Sequence, residues 1–428
     1  MKALAWISVV LPVVAGALFL TAGTRPAPAG IAGGGATTAD ASIAGTTLSQ
    51  ASGADSGRDE HTSIADKAYA TYIARYTSFP RQYWISPAGS GKACSQLKPC
   101  SFAIGIQKGG PGVVIWLMDG TYNFSQYLVT TASGTSSQHA AYVSQHYGGA
   151  KLVSTQGGGN EIWRAQGPHI DFVGLEMTAP GACNTIVPYP NSGGNWTMAY
   201  NRVHDVATQA NGFCGDGHGG AGLGAWGAET TYIVDNVIWN IGNSTDAAFV
   251  HGIYPGIPGV YVANNVVNNV TGGCVHIYHN TYDETVVNNT LSNCQTWGIV
   301  YGGAGTCSST GGIGSGYIIK NNIIANSADS RGAISTYCDR GSPAGVVDHN
   351  LEFNNSNRDN NHSGGPIPTN TIFRDPQFVN YASPGSGGDF RLKSGSAAVR
   401  AGTKTHAPPD DFDGIARGDS PSIGAYEQ

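Results

Sequence analysis

Three histidines and two tyrosines crowd into two short stretches, His251-Gly-Ile-Tyr254 and Val275-His276-Ile-Tyr278-His279. A neutral imidazole can take up a proton near neutral pH, and a phenol can deliver one to a leaving oxygen. The cluster therefore has the residue types of an acid–base pair. The same rings also suit a stacked aromatic face on a sheet, where they pack across neighbouring strands. His251, His276 and Tyr254 are the candidate catalytic groups. Tyr278, His279, Tyr301, Arg331 and His218 are the candidate substrate-binding groups. His218 follows Gly-Asp-Gly in a long turn with room to overhang the same face.

Carboxylates offer a competing chemistry. Asp216, Glu229 and Asp246 precede His251 in turn-like sequence. They could be the paired acids of a glycoside hydrolase, oxygen ligands for calcium, or ordinary turn residues. Asp283 and Glu284 lie in a short connection beyond His279. Basic groups are sparse: residues 160–355 contain Arg164, Arg202, Lys320, Arg331 and Arg340 and no others. Arg331 could hold a substrate carboxylate or cap a turn. Zinc is disfavoured because no Cys-x2-Cys unit occurs. The Gly-rich run 215–224 lacks the Lys-Ser/Thr pair that a phosphate loop needs.

The elements that must position these groups repeat. Asn201, Asn236, Asn265, Asn289, Asn322 and Asn350 each sit between short apolar runs, and they are 35, 29, 24, 33 and 28 residues apart. Periods of this size mark stacked units. The units are too β-branched and too rich in Gly and Asn for helices. They read as short strands joined by turns, the pattern of a parallel β-helix. Rungs then stack about 4.8 Å apart. An inward Asn at each turn can bond its equivalents above and below, satisfying polar groups that the coil would otherwise bury unpaired. Aligning the Gly-apolar steps puts Ile253, Val275, Ile299 and Ala333 in an inward column. Tyr254, His276, Val300 and Ile334 then form the outward one, and Tyr278 also points out. A further outward column takes Asp235, Asn264, Asn288, Lys320 and His349.

Composition agrees with this architecture. Of 428 residues, 62 are Gly, and only 12% are charged. That argues against helical bundles and coiled coils. A net charge of −6 gives no basic footprint for nucleic acid. The 40% apolar content is enough for a core. Met1–Lys2, the apolar run from Ala3 to Ala22 and small residues at Ala27 and Ala29 predict a secretory signal over 1–29, with an uncleaved anchor as the alternative. Residues 30–80 read as a Gly/Ala/Ser/Thr-rich linker, with a short helix from Ser63 to Tyr76 capped by Ser63. Eight cysteines fit export. The spacing suggests the pairs 94–100, 183–214, 274–294 and 307–338, although sequence alone does not determine connectivity.

With these motifs assembled, the chain resembles the bacterial right-handed parallel β-helix proteins of the pectate-lyase-like superfamily. The resemblance covers residues 81–428. It begins with Tyr83-Trp-Ile-Ser-Pro-Ala-Gly-Ser-Gly and Pro111-Gly-Val-Val-Ile-Trp-Leu-Met-Asp-Gly-Thr-Tyr122, and continues through the Asn repeats. It closes with Asp389-Phe-Arg-Leu-Lys-Ser-Gly and Ile423-Gly-Ala-Tyr-Glu427. The resemblance implies one all-β solenoid domain. Its activities include lyases, hydrolases and epimerases as well as non-catalytic adhesins. Many of its lyases use Lys or Arg with calcium, and this chain lacks their lysine-rich pattern. Trp226, Trp239, Trp297 and the rung tyrosines could offer apolar platforms for sugar rings. The expectation is a secreted monomer that cleaves an acidic polysaccharide by β-elimination. A glycoside hydrolase and a glycan-binding module are the alternatives.

Overall fold

The computed structural model describes residues 60–156, 161–188, 194–209, 214, 219–225, 231–278, 281–302, 315–327, 333–336, 344–356 and 366–428. The signal and most of the linker, along with the Cys307–Cys338 pair, lie outside these residues. Among the described residues the strands stack in parallel into three faces of a right-handed coil. The first sheet has ten strands, running from Arg81–Ile85 to Ala344–Asp348. The second also has ten, running from Gly120–Phe124 to Ile372–Phe373. The third face comes in two pieces. Three strands over Leu128–Thr130, Trp163–Ala165 and Ile186–Pro188 are followed by five. These five are Gly220–Ala225, Val250–Pro255, Val275–His276, Ile299–Tyr301 and Ile334–Thr336. The Asn184 carboxamide accepts the Ala221 N–H at 2.8 Å and links the two pieces.

The corner between the first and second sheets explains the repeat. Tyr200, Asp235, Asn264, Asn288, Asn321 and His349 all adopt left-handed backbone, with φ between 53° and 55°. A second left-handed set follows each by five residues, at Asp205, Asn240, Asn269, Asn293, Asn326 and Asn354. Asn and Asp tolerate this conformation better than other residues with a side chain. The ladder Asn comes immediately after the first corner, and all six ladder residues are fully buried. Each carboxamide oxygen after the first accepts both the backbone N–H and the side-chain N–H of the preceding ladder Asn, at 2.8–3.1 Å. The inward faces of the three sheets meet in an aromatic and aliphatic interior, where Tyr142 stacks on Phe172 and both contact Trp163.

Three features of the fold correct the expectations. Lys320 is not in the outer corner column: it pairs with Val287 and Asp348 in the first sheet, and Asn321 takes the corner, donating to Asn288. The corner column is not open either. The C-terminal segment lies along it, accepting from Asn264 at Asp410, from Asn288 at Ser422 and from Asn321 at Thr403, while Arg417 donates to Asn264. Finally, the helix spans Glu60–Ile73 and continues as a 3-10 turn over Ala74–Ser78, so it starts ahead of Ser63. Its Tyr69 hydroxyl donates to the Ser144 carbonyl at 2.5 Å and its ring packs on Val143, Val173 and Tyr200, so the packed region begins before residue 81. Cysteine pairs 94–100, 183–214 and 274–294 are disulfide-bonded.

Candidate active site

The five-stranded piece of the third face carries the histidine cluster. Ile253 pairs with Val275, Val275 with Ile299, and His276 with Val300. Side chains alternate across a strand. Ile253, Val275 and Ile299 therefore enter the interior, where all three are fully buried, while Tyr254 and His276 project from the opposite face. The Cys274–Cys294 disulfide joins the residue beside Val275 to the second sheet, with Cα atoms 5.5 Å apart.

His251 and His276 are in direct contact. The His251 Nδ1 accepts the Gly273 N–H at 3.1 Å, and its Nε2 lies 2.6 Å from the His276 Nδ1. The Gly272-Gly273 pair permits this approach: a Cβ on Gly272 would lie 2.2 Å from the Val250 carbonyl oxygen and 2.7 Å from the His251 Nδ1. The His276 ring stacks on Tyr254 with centroids 4.8 Å apart and on Trp297 at 5.6 Å. Tyr278, half-buried, lies 5.4 Å from it. Tyr254 meets His251 edge-on at 5.0 Å.

The rings of the outward column are largely buried, and Tyr278 is the more exposed edge of the cluster. His251 is 2% exposed, His276 6% and Tyr254 8%. The expectation of an open column is corrected accordingly. Burial, with His276 adding to it, holds the His251 imidazole well below the usual histidine range. An unfolded histidine titrates near 6.5, so below that pH the unfolded chain binds more protons than the folded one. The stabilisation from keeping His251 neutral is therefore complete above about 6.5 and is lost as pH falls towards the depressed folded value. Urea midpoints should decline between about pH 7.5 and pH 5, and less steeply in His251→Phe than in the native chain. Equal slopes would show that His251 is not the titrating group.

The other candidates separate. Tyr301 points inward, stacks on Tyr317 at 5.3 Å and belongs to the core, so its placement as a sugar contact is corrected. Alternation from Ile299 already required this parity. The last step of the alignment is also corrected. Ile299 pairs with Ile334 and Val300 with Ser335, so Ile334 is inward and the expected Ala333 register is off by one. Asp246 is fully buried in its own turn, where its Oδ2 accepts from the Asn243 side chain at 2.9 Å. Glu284 is buried as well. Its Oε2 accepts the Val260 N–H at 3.2 Å, and burial raises its carboxyl well above the usual range. Asp216, His218, Trp226, Glu229, His279 and Arg331 lie outside the described residues. Among the described residues no three His, Cys, Asp or Glu side chains converge as a metal site. The Gly273 amide is a participant that side-chain reasoning missed, although the Gly-Gly pair before Cys274 marked a close backbone approach.

A cleft of about 500 Å³ lies elsewhere, at the end of the second sheet, lined by Glu352, Phe353, Phe373, Arg374 and Asp375 among others. No histidine or tyrosine is among the described residues lining it. His251, Tyr254 and His276 lie away from it, on the third face.

Parallel strands on three faces, an internal Asn ladder and a ring cluster on one face define a right-handed parallel β-helix protein. Solved structures of low sequence identity share this coil. Pectate lyase Pel9A is similar with a TM-score of 0.50 and 15% identity, covering 82% of this chain and 97% of its own. An alginate lyase from Paenibacillus sp. str. FPU-7 aligns with a TM-score of 0.38 and 19% identity, over 64% of this chain and 87% of its own. The Dettilon tailspike protein aligns with a TM-score of 0.45 and 15% identity, over 64% of this chain and 51% of its own. No family model and no curated protein matches the sequence. Identity at this level speaks to the fold.

Proposed function

We propose that the chain is an exported carbohydrate-active enzyme that cleaves an acidic polysaccharide by β-elimination at the His/Tyr cluster. The observation that carries this reading is the His276 ring, backed by His251 and stacked on Tyr254 and Trp297. Elimination removes the proton α to a uronate carboxylate, forms a carbon–carbon double bond and expels the glycosidic oxygen, which takes up a proton. The site must offset charge growing on the carboxylate and move one proton. His276 supplies a hydrogen bond to the carboxylate, and Tyr254, acting as a phenolate, takes the α proton and hands it to the departing glycosidic oxygen, which regenerates the phenolate. Tyr278 offers a ring face to a neighbouring sugar, and Arg331 is the cation proposed for a second carboxylate contact. Three disulfides suit an oxidising, exported setting.

The test is a panel of polyuronates and neutral glycans, read for the ultraviolet absorbance of an unsaturated uronyl product. Absorbance that rises with a polyuronate is expected. New reducing ends without that absorbance would overturn elimination in favour of hydrolysis, with Asp216 and Glu229 as the next candidates. Binding with neither signal would make the chain a glycan-binding module.

A further inference from the structure

We infer that His251 is a positioning residue that holds His276 in the tautomer with its proton on Nε2, making His276 a neutral hydrogen-bond donor rather than a base. The catalytic consequence rests on the function proposed above; the tautomer itself rests on geometry alone.

The Gly273 backbone N–H can only donate. The His251 Nδ1, 3.1 Å away, therefore accepts and carries no proton. A neutral ring then bears its proton on Nε2, which faces the His276 Nδ1 at 2.6 Å. That nitrogen must accept in turn, so the one proton of a neutral His276 sits on Nε2. A different arrangement sets two N–H groups against each other. A proton added at the His276 Nδ1 would meet the His251 N–H, and one added at the His251 Nδ1 would meet the Gly273 N–H. Protonation of either ring therefore breaks a contact made in a closed environment, where His251 and His276 are both buried. The close approach at Gly272 keeps the first link of this relay short.

A neutral donor has one clear use. It strengthens its hydrogen bond as an acceptor gains negative charge, and it does so without the cost of burying an imidazolium. The matching substrate group is the carboxylate of a uronic acid, whose oxygens gain charge as the α proton leaves.

The test reads the tautomer directly. Nitrogen-15 imidazole spectra of the whole protein at neutral pH should show both rings neutral, with Nδ1 unprotonated and Nε2 protonated. A His276 proton on Nδ1, or an imidazolium at either position, would overturn the inference whatever the activity. Substitution provides the second arm. A Gln side chain at 251 can accept from Gly273 with its oxygen and donate to His276 with its nitrogen, whereas Leu can do neither. On a cleaved polyuronate, His251→Leu should lower kcat by about 10²-fold with KM little changed, and His251→Gln should restore most of the loss. Equal losses in the two variants would overturn the positioning role. If the spectra agree and no polyuronate is cleaved, the proposed reaction fails while the tautomer assignment stands.

Discussion

Replacing Asn289 with leucine should lower the stability of the coil by about 3 kcal/mol or more, read as a shift in urea or thermal midpoint. The size follows from what the side chain holds. Its oxygen accepts the Asn265 backbone N–H and the Asn265 side-chain N–H, each at 2.9 Å. Its nitrogen donates to the Val262 carbonyl at 3.0 Å and to the Asn322 oxygen at 3.0 Å. Leucine fills similar space but strands these partners in a fully buried corner, and each stranded group costs about 1–3 kcal/mol. The loss should not stay local, because each Asn orients the next. An unchanged midpoint would mean that the corner opens to water.

The His276→Ala variant should lower turnover on a cleaved polyuronate by about 10²–10³-fold, the usual cost of removing one donor aimed at developing charge. His276→Gln keeps an N–H and should lose less. Removal of the ring also opens space beside Tyr254 and Trp297, so a stability loss of about 1–3 kcal/mol should accompany it. Outward side chains on a solenoid are expected to change stability little when they face water, but the burial of His276 changes that expectation. A melt showing a folded variant separates the two effects. Full activity in folded His276→Ala would reduce the cluster to packing.

Much of the scaffold was legible in the chain because a solenoid repeats its own local rules. Asn at the same place in each unit meant an inward ladder, and the structure has it from Asn201 through Asn350, with a left-handed residue before each ladder Asn that the pattern did not announce. The disulfide pairs 183–214 and 274–294 fit the same rules, because they connect turns that the coil brings close, and 94–100 closes a short local loop. Where the unit varies, one-residue errors entered, as at Lys320 and at Ala333. Because side-chain period is two, such a slip exchanges the inside and the outside. Ile334 and Asn321 show the consequence.

The sequence by itself determined the coil, the Asn register and the placing of Tyr254, His276 and Tyr278 on one face, since all of these follow from periodicity and strand parity. Only the tertiary structure decided that His251 bonds both a backbone amide and His276, that Trp297 completes the stack, that Tyr301 belongs to the core, and that the C-terminal segment closes the outer corner. The physical reason is that parity assigns a side chain to a face but not a ring to a distance. Ring contacts depend on how far one rung stands from the next and on where a glycine lets backbone approach. Burial depends on segments remote in the chain, such as Asp410 against Asn264, which no local pattern encodes.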